Sequence, residues 1–124
     1  MTHKILYIED DAANLQLVEL IFDQREDISL ITATTGGEGL EKAKENKPDI
    51  ILLDLSLPDM HGIEVLQLLK TDDSLKEIPV VALSGDLVTT KIPSDKTTGF
   101  FATIPKPVDI NLFFDTIEKA LKIK

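Results

Sequence analysis

Residues 49–55, DIILLDL, decide the fold of this chain. Ile50, Ile51, Leu52 and Leu53 form an unbroken apolar run that ends at Asp54, with Pro48 before it and Pro58 after it. An apolar run without polar alternation reads as a strand buried on both faces, and such strands belong to parallel sheets covered by helices on each side. Outward from this run the same type of segment recurs: KILYIE (4–9), ISLITA (28–33), IPVVALS (78–84) and FFATI (100–104). Helical stretches alternate with them. Asp11 is placed to cap a helix over 12–24, with Leu15, Val18 and Phe22 on its apolar stripe. Thr35 and Glu38 form a capping box for a helix running to about Asn46. Ile63, Leu66 and Leu69 set helical spacing over 61–70, and Asp109 caps a last helix with Ile110, Phe113, Phe114, Ile117 and Leu121 on one face. Residues 86–98 keep a helical rhythm but contain Pro93, which lacks an N–H, so the fourth helix is expected to be short or irregular. Five β–α units joined by right-handed crossovers give an α/β fold: a doubly wound, five-stranded parallel sheet with helices on both faces. Its strand C-termini share one edge, where ligands bind in such folds.

The composition sets bounds on what the molecule does. A chain of 124 residues is the size of one domain, here 1–124, and 43% hydrophobic with 28% charged residues is an ordinary globular balance. There is no cysteine, hence no disulfide framework or thiolate chemistry. No apolar run approaches the roughly 20 residues that span a bilayer, and the opening MTHKILYIEDD reaches acids too soon for a signal peptide. The expected location is cytoplasmic. A net charge of -9 disfavours binding to nucleic acid or to an anionic membrane.

Polar residues gather at the predicted strand ends. Strand 1 runs into Glu9, Asp10 and Asp11, strand 3 into Asp54, and strand 4 into Ser84 and Gly85; Lys106 and Pro107 follow strand 5. A single Asp at a strand end is ordinarily a helix cap, which accounts for Asp11 but not for Asp54, because no helix starts directly after it. Carboxylates crowded at one edge repel one another unless a cation joins them, and Mg²⁺ is a hard cation that prefers oxygen. A hydroxyl and a lysine beside them suit the oxygens of a phosphoryl group.

These residues resemble the receiver domains of response regulators and hybrid histidine kinases in two-component and phosphorelay signalling. The likeness covers the whole chain, from ILYIEDD through DIILLDLSLPDMHG and PVVALSGD to IPKPVD, and its opening is most like the hybrid-kinase group. The spacings also match: 44 residues from Asp10 to Asp54, 30 from Asp54 to Ser84 and 22 from Ser84 to Lys106. The resemblance implies a flavodoxin-like strand order of 2-1-3-4-5. It implies that Asp54 is the phosphoacceptor, taking a phosphoryl group from a phosphohistidine on a histidine kinase or histidine phosphotransfer protein. Asp10, Asp54 and the backbone carbonyl of Ser56 would ligate Mg²⁺, with Glu9 acting through a metal-bound water. Ser84, Gly85 and Lys106 would contact the phosphoryl group. Asp86 either tunes the lifetime of that group or caps the helix that follows. Such a domain is not an enzyme in the ordinary sense: it catalyses its own phosphorylation and slow dephosphorylation, and switches a surface toward a downstream protein.

Two features depart from the family pattern. Thr103 stands three residues before Lys106, where an aromatic ring is common, and Pro93 interrupts a segment that usually carries part of the signalling face. They leave a second reading, a docking module with a weak phosphorylation-driven switch or none. An aspartyl phosphatase-like enzyme is disfavoured because Ser56 stands where its second Asp would be. A flavin-binding protein is disfavoured because EDDAAN after strand 1 would repel a phosphate.

Overall fold

The computed structural model describes residues 3–55, 57–84, 100–105 and 109–122. The elements, labelled in chain order among these residues, are β1 (His3–Ile8), α1 (Ala12–Asp23), β2 (Ile28–Ala33), α2 (Gly36–Asn46), β3 (Ile50–Asp54), α3 (Gly62–Lys70), β4 (Val80–Ser84), β5 (Ala102–Pro105) and α4 (Ile110–Lys122). The five strands form one sheet in the order β2-β1-β3-β4-β5, and every neighbouring pair is parallel. This is the expected doubly wound architecture.

The sheet divides the core into two layers by strand alternation. Leu6, Ile8, Ile51, Leu53, Val80 and Ala82 pack on one face with Val65, Leu66 and Leu69 of α3 and Ala43 of α2. Ile5, Tyr7, Ile50, Leu52, Val81 and Leu83 pack on the other face with α1 and α4. Ile50 to Leu53 are fully buried, as a strand covered on both sides must be. Phe22, Phe113 and Phe114 close the α1–α4 layer, with ring centroids 5.4 to 5.9 Å apart.

The caps at α1 and α4 form as the sequence indicates. Asp11 Oδ1 accepts from Ala13 N at 2.8 Å, and Asp109 Oδ1 accepts from Asn111 N at 2.9 Å. Four local expectations need correction. The strand expected over 100–104 is β5 at Ala102–Pro105: the regular pairing with β4 starts at Ala102, and Phe101 N donates to Val80 O at 2.8 Å just ahead of it. The strand expected from residue 78 begins at Val80: Ile78 N is committed to a turn with Leu75 O, and Pro79 has no N–H to donate. The capping box closes differently, since Thr35 Oγ1 accepts from Glu38 N as expected, but Glu38 Oε1 accepts from Thr34 N rather than Thr35 N. Ile110, placed on the apolar face of the last helix, is instead 52% exposed at its first turn. The segment 86–98, including Pro93, lies outside the described residues.

An ion-pair cluster ties the loop after α1 to α4. Arg25 donates through Nε and Nη2 to both carboxylate oxygens of Asp27 at 2.8 and 2.7 Å, and through Nη2 to Glu118 Oε1 at 3.0 Å. Its guanidinium also lies 5.2 Å from the centre of the Phe114 ring. The bidentate bond from Arg25 holds the Asp27 carboxyl at about 2, well below its ordinary value. A carboxyl depressed in the folded state contributes stability that is present above its unfolded value, about 4, and is lost as pH falls through the folded value. The expected result is that Asp27→Asn lowers the urea midpoint near neutral pH, and that its difference from wild type shrinks as pH falls from about 4 to about 2. Urea titrations across that window check it; a difference that persists undiminished in acid would count against the pairing.

Candidate functional site

The C-terminal edge of the sheet collects the acidic residues. Glu9 follows β1 directly and its N–H donates to Ala33 O at 2.9 Å, so the backbone is still held in the sheet where the acids begin. Asp54 ends β3, opposite Leu83 of β4. Glu9, Asp10 and Asp54 each bring a carboxylate oxygen within 4.8 Å of the other two. Glu9 is 1% and Asp54 5% exposed, while Asp10 faces solvent. Two buried carboxylates and one open to water form an oxygen-only donor set, which fits a hard divalent cation that retains water. Asp11 is adjacent in sequence but is spent on capping α1.

Glu9 is anchored at both oxygens. The Tyr7 hydroxyl donates to Oε1 at 2.9 Å, and Asp11 N–H donates to Oε2 at 3.3 Å. Tyr7 is fully buried. Burial, reinforced by the negative charges of Glu9, Asp54 and Asp11, raises the Tyr7 hydroxyl far above its ordinary range, so it remains a donor.

The loop after β3 is fixed from two directions. Gly62 N donates to Leu55 O at 3.0 Å, folding the loop back on the strand end. Asp59 reaches across to α2, accepting from Gly36 N at 2.8 Å and Gly37 N at 3.0 Å. These amides belong to the first turn of α2, and they hold the Asp59 carboxyl below its ordinary range. In Asp59→Ala, hydrogen exchange at the Gly36 and Gly37 amides is expected to accelerate while strand amides keep their protection. Unchanged exchange at both would show that the tie is not formed in solution.

Of the residues singled out in the sequence, Glu9, Asp10 and Asp54 come together. The backbone of Ser84 ends β4 and pairs in register with Pro105, the residue before Lys106 in sequence. Ser56, Gly85, Asp86 and Lys106 lie outside the described residues. Thr103 is half-buried in β5 opposite Ala82, and Phe100 is buried in the core layer of α2 and α3. Sequence reasoning missed Tyr7 and Asp59. Tyr7 was legible as a polar-tipped aromatic two residues before Glu9, hence on the same side of an extended strand. Asp59 finds its partners 22 and 23 residues away, and no local pattern announces such a contact.

Comparison with known proteins agrees with this geometry. Residues 5–118 match the response regulator receiver domain. The polar-differentiation response regulator DivK of Brucella ovis is 32% identical over 121 residues, which cover 98% of each chain. The chemotaxis response regulator CheY4 of Vibrio cholerae has a solved structure similar at a TM-score of 0.87 and 25% identity, covering 98% of this chain and all of that one. The receiver domain of the sensor histidine kinase PA1611 from Pseudomonas aeruginosa PAO1, solved with a magnesium ion coordinated in its active site cleft, shares the fold at a TM-score of 0.86 and 17% identity, covering 98% of this chain and 99% of that one.

Proposed function

Given that the chain belongs to the response regulator receiver domain family and serves as a phosphoacceptor in two-component signalling, we propose that Asp54 is the acceptor, and that residues 1–124 form one domain built around it. The observation that carries this reading is the convergence of Glu9, Asp10 and Asp54 at the C-terminal edge of the sheet. Asp54 is nearly buried at the end of the most apolar strand, so its carboxylate is held in one place with little competing water.

One Asp54 oxygen attacks phosphorus in line, a phosphorus–oxygen bond forms, and the phosphorus–nitrogen bond to the donor histidine breaks, leaving an imidazole. The donor is a histidine kinase or a histidine phosphotransfer protein. Glu9, Asp10, Asp54 and the Ser56 carbonyl are the residues that would hold Mg²⁺. When bound, Mg²⁺ offsets negative charge on the carboxylates and on the incoming phosphoryl oxygens. Ser84, Gly85 and Lys106 are assigned to those oxygens as well; the pairing of Ser84 with Pro105 supports this by joining the ends of β4 and β5 beside β3. Asp86 is assigned first to a capping role and second to the lifetime of the acyl phosphate. The phosphorylated domain then presents an altered surface to a downstream protein.

The chain catalyses no reaction on a separate substrate in this scheme. Among the described residues no helix is long and apolar enough to cross a membrane, and the domain is assigned to the cytoplasm, where its kinase partners phosphorylate their targets. Incubation with a small phosphodonor and Mg²⁺, read by intact mass, tests the reading. One added phosphoryl group is expected, and none on the wild-type chain would refute it.

A further inference from the structure

We propose that Tyr7 is a positioning residue of the acidic site: its hydroxyl fixes Glu9 so that this carboxylate receives a cation's water rather than the cation, and the site thereby favours Mg²⁺ over Ca²⁺. The proposal rests on the reading of Glu9, Asp10 and Asp54 as a Mg²⁺ site.

Tyr7 lies in a largely apolar layer. Its neighbour on the same face of β1 is Ile5, its partner on β3 is Leu52, and it packs in the cluster containing Phe22 and Phe113. Phenylalanine would fill this space without bringing a polar atom into the core. The hydroxyl is tolerated because it has a partner, since a buried hydroxyl without one is costly. That partner is Glu9 Oε1 at 2.9 Å, while Asp11 N–H engages Oε2. A carboxylate has about four lone-pair directions, and these two bonds engage one on each Glu9 oxygen. Its plane is thus fixed from both ends.

Fixing matters more for Glu9 than for its neighbour. Glutamate has one more rotatable bond than aspartate and can swing to chelate an ion through one oxygen or two. Ca²⁺ takes 6–8 oxygens and accepts bidentate carboxylates, whereas Mg²⁺ demands a compact octahedron and keeps several waters. An anchored Glu9 therefore suits the smaller ion, and a released Glu9 supplies the larger one with the extra oxygens it uses. Tyr7 acts through Glu9, as outer partners act through ligands at metal sites generally.

The test is isothermal titration of the metal-free full chain with Mg²⁺ and with Ca²⁺ separately. Tyr7→Phe is expected to weaken Mg²⁺ binding about 10-fold, with Ca²⁺ affinity changed by less than about 2-fold, so that the preference between the ions falls. An unchanged Mg²⁺ affinity, or parallel losses for both ions, would overturn the proposal; general damage to the site gives the parallel result. In a Glu9→Gln background, Tyr7→Phe is expected to add no further loss, and the same 10-fold loss there would show that Tyr7 does not act through Glu9. Because Tyr7 is the only tyrosine, substituting 3-fluorotyrosine throughout the chain alters one hydroxyl and leaves its shape nearly intact. Its ¹⁹F resonance is expected to move on addition of Mg²⁺, and a resonance unmoved at saturation would also overturn the proposal. A wild-type chain that binds no Mg²⁺ sinks the metal reading together with this one. Normal binding in wild type with an indifferent Tyr7→Phe sinks this one alone.

Discussion

Asp54→Asn is expected to take up no phosphoryl group from a small phosphodonor with Mg²⁺, under conditions in which the wild-type chain is expected to gain one by intact mass. The expected loss is complete, because the substitution removes the oxygen proposed as nucleophile while preserving size and shape. The neighbouring acids do not substitute for it. Glu9 is hydrogen-bonded at both oxygens, and Asp10 is exposed to water rather than held at a strand end buried on both faces. Removing one of the three carboxylates also weakens the cation site, so added Mg²⁺ should stabilise the variant less than the wild type, by mass action. A phosphoryl group that persists in Asp54→Asn would place the chemistry elsewhere and defeat the assignment.

The second large effect concerns packing rather than chemistry. Gly62→Ala is expected to cost about 3 kcal/mol, the upper part of the range for overpacking a close contact. A Cβ at residue 62 would stand 2.8 Å from Leu55 Cα and 3.0 Å from the Asp54 carbonyl oxygen. Those are backbone atoms, and they are held. Leu55 N donates to Leu83 O at 3.2 Å, and Gly62 N donates to Leu55 O at 3.0 Å. Relief therefore requires the end of β3 to shift, and Asp54 shifts with it. Its phosphorylation rate should fall by about tenfold or more, as misplacement of a reacting group does. Gly37→Ala is the control: its added carbon meets only Asp59 Oδ2, at an ordinary 3.6 Å. Urea midpoints and phosphorylation time courses on both variants decide the matter. Equal stability in the two would mean that the loop after β3 adapts more freely than its hydrogen bonds imply.

What the sequence discloses here follows physical range. The buried strands are legible because Ile50 to Leu53 and their counterparts are continuous in the chain. The caps at Asp11 and Asp109 are legible because their partners lie two or three residues away. The strand order is different, since nothing in the periodicity of 4–9 and 49–55 states that β1 lies between β2 and β3; it came with the family resemblance. Phe100 and Phe101 read as strand because aromatic residues favour strands, and the regular pairing with β4 begins only at Ala102. The three acids at the site were visible as strand-end polar residues. Tyr7 was absorbed into an apolar run, and Asp59 into a turn beside Pro58, because the hydroxyl's partner and the distant amides become neighbours only once the chain has folded.

The division of the core by the sheet has a consequence for how the molecule can diverge. Along β1, alternate residues belong to different layers: Leu6 and Ile8 face α2 and α3, while Ile5 and Tyr7 face α1 and α4. Substitutions that share no packing partner add nearly independently. The α1–α4 side can therefore be recut for a new binding partner without repacking the α2–α3 side, and the reverse also holds. The exception is the edge where the strands end. Glu9 and Asp54 continue the alternation of Ile5, Tyr7, Ile50 and Leu52, and a drift in either layer that tilts β1 or β3 is felt there first. Two layers free to change separately, joined at one acidic edge, is the kind of inheritance this sheet permits.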